Sequence, residues 1–217
     1  MNVKFQLLSG ETKKSFDDWN LLLAPYTLET PSPQTNFVEI PGRDGSLDLS
    51  EALGNLSYNN RTISLNFTCT DTINGIYDKY NEISNFLHGQ KLKLTLPNDP
   101  DFYYIGRAEV GNLDRAKRTN QISVTVNCEP YKLKNELTVF TDTLGTLPHV
   151  ITINNLKMRT MPTITTSENV IMNFENIDYS FGGEFRNTAV VLKEGENIFT
   201  FKQGNGDITF EFQEGAL

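Results

Sequence analysis

The sequence predicts a mainly β protein of the α+β class, built from two domains with one helix in the first. Apolar and polar residues alternate over residues 63–67, 91–96 and 122–127, which is the period of a half-buried strand. Only one segment has helical spacing. After residue 130 the chain changes to short β-prone runs separated by turn residues, which is typical of a β-sandwich. At 217 residues the chain is long enough for two domains, each with a core of its own.

The first domain, predicted over residues 1–130, is expected to resemble a β-sandwich with one helix packed against it. Turn residues, among them Pro41-Gly42 and Asp44-Gly45, separate the predicted strands. Besides the three alternating segments, strands are predicted at residues 2–8, 21–29, 35–40 and 102–113.

A helix is predicted over residues 72–88. Asp71 is its expected N-cap, and Gly89 is its expected C-terminal stop. Large apolar side chains recur at steps of three and four, so they would form one stripe that packs on the sheet. The stripe consists of Ile73, Ile76, Tyr77, Tyr80, Ile83 and Leu87.

The second domain, predicted over residues 131–217, has six or seven short β-prone runs and no helical period. We predict a hairpin at Gly204-Asn205-Gly206. This glycine pair has no Walker-type sequence around it, so a phosphate-binding loop is not expected.

The charge balance argues against nucleic acid as a specific partner. The chain has 19 basic and 27 acidic residues, a net charge of −8, whereas binding to a phosphate backbone requires clustered Lys and Arg. The one basic group, Arg115 with Lys117 and Arg118, is predicted at the solvated tip of a hairpin. No apolar run approaches the length of a membrane span or of a signal-peptide core, so neither is expected.

The sequence offers no recognisable catalytic, metal or cofactor site. His88 and His149, the only histidines, lie in different predicted domains. His88 is expected to contact the helix dipole, and His149 has no evident partner. Cys69 and Cys128 each end an alternating strand, could lie near one another, and are expected to be buried free thiols of a reduced protein. An enzyme is therefore not predicted, and no cofactor is expected.

One long segment carries a family resemblance. The string from Phe37 to Gly54 is followed by Tyr58, Asn60-Arg61 and the strand at 63–67. Further matching stretches lie at 86–89, 99–107 and 122–131. Together these residues, within about 35–131, resemble the distal tail proteins (Dit) of siphophages that infect Gram-positive bacteria.

Within this string we predict a subunit or partner interface. Pro41-Gly42 and Asp44-Gly45 would form a tight hairpin, which leaves charged side chains for pairing inside the turn or across a subunit boundary. A self-contained surface hairpin is the equal alternative. The predicted interface comprises Pro41, Gly42, Arg43, Asp44, Gly45, Asp48 and Arg61.

The resemblance implies a structural hub at the tail tip of a phage or prophage. In such proteins the N-terminal domains close into a hexameric ring, and a galectin-like β-sandwich projects from each subunit. The expected partners are the tail tube protein, a tail-associated lysin or tail fibre protein, and a receptor-binding protein, with the tape measure protein passing through the ring. The resemblance places the protein in the virion tail tip, and in the host cytoplasm during assembly.

A carbohydrate-binding protein that contacts the host cell wall is the alternative function. Tyr179, Phe181 and Phe185 could stack on a sugar. The same alternation is equally typical of a strand that turns its aromatic side chains toward a core or a protein partner.

Overall fold

The computed structural model describes residues 2–52, 54–69, 75–115 and 120–217. The chain divides into two compact units, Met1–Pro130 and Tyr131–Leu217, which we call unit 1 and unit 2. Among the described residues the secondary structure is almost entirely β, with one α-helix, so the predicted fold class is confirmed.

Unit 1 contains a large antiparallel sheet in the strand order β2-β1-β8-β9-β10-β7-β3, with β4 also paired to β7. The strand β10 begins in unit 1, and its last four residues belong to unit 2. The elements are β1 Lys4–Leu7, β2 Thr12–Lys14, β3 Leu21–Leu23, β4 Thr27–Leu28, β5 Phe37–Glu39, β6 Ser46–Asp48, β7 Arg61–Cys69, α1 Ile76–Leu87, β8 Lys91–Thr95, β9 Phe102–Arg115 and β10 Asn120–Lys134.

The strands β7 and β10 form the centre of this sheet. They pair without a break from Cys69 opposite Asn120 to Arg61 opposite Cys128. Over these paired residues every second side chain is buried, because one face of the pair covers the core and the other carries Ser, Thr, Asn and Gln. The alternation predicted for residues 63–67 and 122–127 is thereby confirmed.

The helix α1 packs its apolar side on the core of unit 1. Ile76, Ile83 and Leu87 are completely buried, and Gly89, with φ of 75°, follows the helix as predicted. Tyr77 is 53% exposed, so its predicted place in the buried stripe is wrong.

The start of α1 differs from the prediction. Gly75 occupies the N-cap position and offers no side-chain hydrogen bond. The predicted cap Asp71 and the stripe residue Ile73 lie outside the described residues, as do Lys117, Arg118 and the side chain of Arg115.

Unit 2 is a six-stranded sheet in the order β11-β16-β13-β15-β12. The sixth strand, β14, also pairs with β13. The short strand β17 pairs with the end of β10. The strands are β11 Thr138–Leu144, β12 His149–Asn155, β13 Thr163–Phe174, β14 Ile177–Phe185, β15 Gly195–Gln203, β16 Gly206–Phe212 and β17 Gly215–Ala216.

Along its length β13 pairs first with one strand and then with another. The sheet of unit 2 can therefore enclose one apolar cluster. Residues 163–166 pair with β16, and after an irregularity residues 171–173 pair with β15. Both neighbours are antiparallel to β13, so β15 and β16 run in the same direction. Gly204-Asn205-Gly206 is therefore a corner between two strands and not the predicted hairpin.

Glycine is required at this corner. Gly204 has φ of 115°, and a Cβ there would lie 2.6 Å from Val170 Cγ1 and 3.0 Å from the carbonyl oxygen of Asn169. The backbone can pass this closely to β13 only without a side chain.

Candidate subunit interface

A two-stranded ribbon, formed by β5 and β6, is largely exposed in unit 1. The two strands pair only with each other among the described residues, with Phe37 opposite Asp48 and Glu39 opposite Ser46. An isolated hairpin of this size is marginally stable in water. We call residues 37–48 the ribbon.

The ribbon exposes large apolar side chains. Phe37 is 56% exposed, Val38 40% and Ile40 41%. Single exposed apolar residues are normal, but a group of three on four consecutive positions is typical of a contact surface.

The tip of the ribbon is shaped by two glycines. Gly42 has φ of 84° and Gly45 has φ of 74°, which are left-handed values that favour glycine. The backbone N–H of Arg43 donates to the carbonyl oxygen of Ile40 at 3.1 Å. The side chains of Arg43 and Asp44 are exposed and make no hydrogen bond or ion pair with any residue that the structure describes.

The base of the ribbon is held by polar contacts. Asp48 accepts hydrogen bonds from the backbone N–H of Ser50, at 2.9 Å, and from its hydroxyl. The hydroxyl oxygen of Ser50 accepts from the N–H of Asn36 at 2.8 Å. The hydroxyl and N–H of Ser50 lower the pKa of Asp48. The carboxylate of Asp48 is therefore engaged within the base of the ribbon, whereas Pro41 to Gly45 project beyond it.

A hollow of about 470 Å³ lies at the ribbon tip, lined by Glu39, Ile40, Pro41, Arg43, Gly45 and Ser46. The charged and the apolar residues of this lining all belong to the string from Phe37 to Gly54. Of the predicted interface residues, the structure places Pro41, Arg43 and Gly45 in this lining.

Arg61 does not lie with the ribbon. It is 4% exposed, its Nη2 donates to the carbonyl oxygen of Pro130 at 2.6 Å, and its guanidinium carbon lies 5.4 Å from the ring centroid of Tyr104. Burial lowers its pKa, and its Nε has no hydrogen-bond partner among the described residues. These contacts give Arg61 a structural role at the end of β7.

The aromatic residues proposed to bind sugar pack on the core of unit 2. Tyr179, Phe181 and Phe185 are half-buried. The rings of Phe181 and Phe185 stack with centroids 4.1 Å apart, and Tyr179 lies 5.7 Å from Phe185. Phe181 and Phe185 each use one ring face against the other, and all three side chains pack against the core, so the structure adds no support for a sugar platform.

A second hollow, of about 570 Å³, lies in unit 1 beside the end of α1. Three of its charged groups are engaged: Lys91 Nζ lies 2.9 Å from Glu129 Oε1, and Arg107 donates to the carbonyl oxygen of Gly89. His88 Nδ1 accepts from the N–H of Val110 at 3.1 Å. This bond joins the helix end to β9, and the expected contact of His88 with the helix dipole stays a prediction.

The two thiols are buried far from each other. Cys69 and Cys128 lie at opposite ends of the β7 and β10 pair, so their predicted proximity is wrong. Burial raises the pKa of Cys69, and it raises that of Cys128 to about 12. Neither thiol is activated as a nucleophile.

In unit 2, His149 Nε2 lies 2.9 Å from Asp142 Oδ2. His149, for which the sequence suggested no partner, therefore contacts a carboxylate on the preceding strand, β11. In the described part of the chain, no three His, Cys, Asp or Glu side chains converge as a metal site requires. No helix among the described residues is long and apolar enough to cross a membrane.

Comparison with known proteins identifies the family. No curated protein sequence matches the chain. The solved structure of the Dit protein of SPP1, described as a paradigm of the hub adsorption apparatus in phages that infect Gram-positive bacteria, is similar with a TM-score of 0.68. The similarity covers 99% of this chain and 99% of that one, at 15% sequence identity. The similarity in fold therefore covers both units.

The sequence profile of the phage tail protein RIFT-related domain matches residues 20–128. These residues include nearly all of the segment from which the resemblance to distal tail proteins was predicted, and that resemblance is confirmed. The chain belongs to the family of phage tail proteins that contain the RIFT-related domain.

Proposed function

We propose that this protein is a structural hub at a phage tail tip, in which six copies of unit 1 close into a ring. The ring would join the tail tube to the parts of the tip that adsorb to the host. The similarity of both units to a protein described as part of a hub adsorption apparatus supports this role. The observation that carries the proposal is the ribbon, because it presents apolar side chains that a monomer leaves in water.

A closed ring of identical copies needs two unlike contact surfaces on each subunit. The ribbon supplies one. The edge formed by β3 and β4 is the candidate for the other, because Leu22 and Leu28 are 43% and 42% exposed there. Apolar side chains on both surfaces would be removed from water together.

The opposite edge of the same sheet is protected against such contacts. It ends at β2, where Lys14 Nζ lies 3.3 Å from Asp17 Oδ2 and Lys13 lies 4.0 Å from Glu82. Charged side chains, lysine above all, are the usual protection of an edge strand. The contrast favours the leucine-bearing edge as the receiving surface.

In this arrangement the exposed pair Arg43 and Asp44 would determine the register of the contact. A guanidinium that is unpaired in one subunit can form a bidentate bond with a carboxylate of its neighbour. Asp48 would support the ribbon from within, and Arg61 would hold the end of β7.

The remaining expected partners follow from a hub position. The tail tube protein would bind on one side of the ring, a tail-associated lysin or fibre protein on the other, and the tape measure protein would pass through. Unit 2, which we propose to be a galectin-like sandwich, would serve as the place where receptor-binding proteins attach. Subunits would assemble in the host cytoplasm, and their role would be structural and not enzymatic.

Electron microscopy of the protein expressed with its tail tube protein tests this proposal. We expect closed particles with sixfold symmetry, and immunogold labelling of intact phage at the tail tip. Labelling along the tail shaft, or a stoichiometry that excludes a ring, would contradict it.

A further inference from the structure

The strand β11 has an open edge in unit 2. Among the strands that the structure describes, β11 pairs with β16 alone, in an unbroken register from Thr138 to Leu144. Natural proteins protect such edges with lysine, proline, bulges or very short strands. Over its seven residues β11 has no lysine, proline or bulge, and its one charged residue, Asp142, lies on the face of Phe140 and contacts His149.

The strand β12, at the other end of this strand order, also pairs with a single neighbour, β15, but covers its inward side chains. Its inward side chains Ile151 and Ile153 are 2% and 3% exposed. On β11 the corresponding inward residue Phe140 is 36% exposed, although its ring lies 6.4 Å from that of Phe210. On the outer face, Val139 is 59% exposed. The outward Val150 of β12 is similarly exposed, at 56%, so the difference between the two strands lies on the inward face, where β11 lacks the cover that one more strand would give.

The two ends of β11 are closed by polar contacts. Asp142 contacts His149 at one end, and at the other the hydroxyl of Thr138 donates to Glu214 Oε2 at 2.6 Å. The accessible part of the edge is therefore centred on Val139 and Phe140.

The outer face beside this edge is acidic. Val139 lies opposite Glu211, and Thr143 lies opposite Asp207. Thr141, between them, lies opposite Thr209. No lysine or arginine lies in these cross-strand pairs, and Glu211 has no ion-pair partner among the described residues. Because threonine is short, a basic side chain opposite Thr141 on an added strand could reach either carboxylate.

We propose that the β11 edge is a docking site for an extended segment of another protein in which basic and apolar residues alternate. The segment would add to the sheet as a new strand, so that main-chain hydrogen bonds supply part of the affinity. Its apolar residues would cover Phe140, and its basic residues would lie over the acidic face. The site belongs to unit 2 alone and does not depend on the ring.

Fluorescence anisotropy with two labelled octapeptides tests the site. In one peptide valine alternates with lysine, and in the other valine alternates with glutamate. We expect the lysine peptide to bind the full chain at least tenfold more tightly, and Glu211→Gln to reduce that preference. Hydrogen exchange should show new protection at residues 137–141 when the lysine peptide is bound.

A matched pair of variants locates the contact. Val139→Lys on β11 should weaken binding of the lysine peptide about tenfold, a change equivalent to about 1.4 kcal/mol. Val150→Lys on the other edge strand replaces a valine of similar exposure, 56%, and should leave binding unchanged. Absence of binding, equal binding of both peptides, or equal effects of the two variants would overturn the proposal.

Discussion

Replacement of Phe37 by serine should prevent subunits from joining without unfolding them. A phenylalanine side chain presents about 200 Å² of surface, and 56% of Phe37 is exposed. Complete burial in a neighbour would therefore remove about 110 Å² from water. At about 25 cal/mol per Å², this burial contributes about 3 kcal/mol to each contact between copies.

A loss of that size weakens each contact by about two powers of ten. The folded monomer should change little, because exposed substitutions usually alter the free energy of unfolding by less than about 0.5 kcal/mol. The assay is incorporation of the variant into tails when it is expressed with the other tail proteins, with circular dichroism as the measure of folding.

The matched control is Phe16→Ser. Phe16 is also an exposed phenylalanine of unit 1, at 41%, but lies between β2 and β3, away from the ribbon. We expect this variant to assemble normally. If Phe37→Ser assembles like the wild type, or if both variants fail equally, the reasoning that assigns the contact to the ribbon is wrong.

Three further outcomes are expected. Arg43→Glu should reduce assembly while leaving the monomer folded, since the guanidinium of Arg43 has no partner among the residues that the structure describes; an unchanged oligomer mass by light scattering would contradict this. Gly204→Ala should lower the free energy of unfolding by about 2 kcal/mol, because its backbone is left-handed and its space is filled; Gly145→Ala, in open space, is the control in urea titration. The contact with His149 lowers the pKa of Asp142. The contribution of this contact to the stability of the fold should therefore be complete above pH 3.8, the ordinary pKa of an aspartate, and should be lost as the pH falls below that value. Asp142→Asn should remove that part of the acid dependence in thermal melts, and an unchanged acid profile would refute it.

The strands of unit 1 could be predicted from the sequence because their signal is local. A half-buried strand must alternate, so residues 63–67 and 122–127 revealed both the strands and the faces they bury. The end of α1 at Gly89 could also be predicted, because it depends on a residue next to the helix. Tyr77 was misassigned because helical spacing alone does not show where the apolar stripe ends.

Contacts between distant parts of the chain could not be predicted. Gly204-Asn205-Gly206 has the composition of a hairpin, but the pairing of β13 with both β15 and β16 decides the geometry. Arg61 stands in a polar string and is nevertheless buried against Pro130, 69 residues away. The ribbon was predicted as a hairpin from its glycines, whereas its lack of further strand partners emerged only from the fold.

The burial of both native thiols has a practical use. Since neither sulfur is accessible or ionised near neutral pH, a maleimide dye should not react with the wild-type chain. A single cysteine introduced at Asp44 would then be the one position that takes a label, without prior removal of Cys69 or Cys128. Distances between such dyes on neighbouring copies would report how many subunits form the proposed ring.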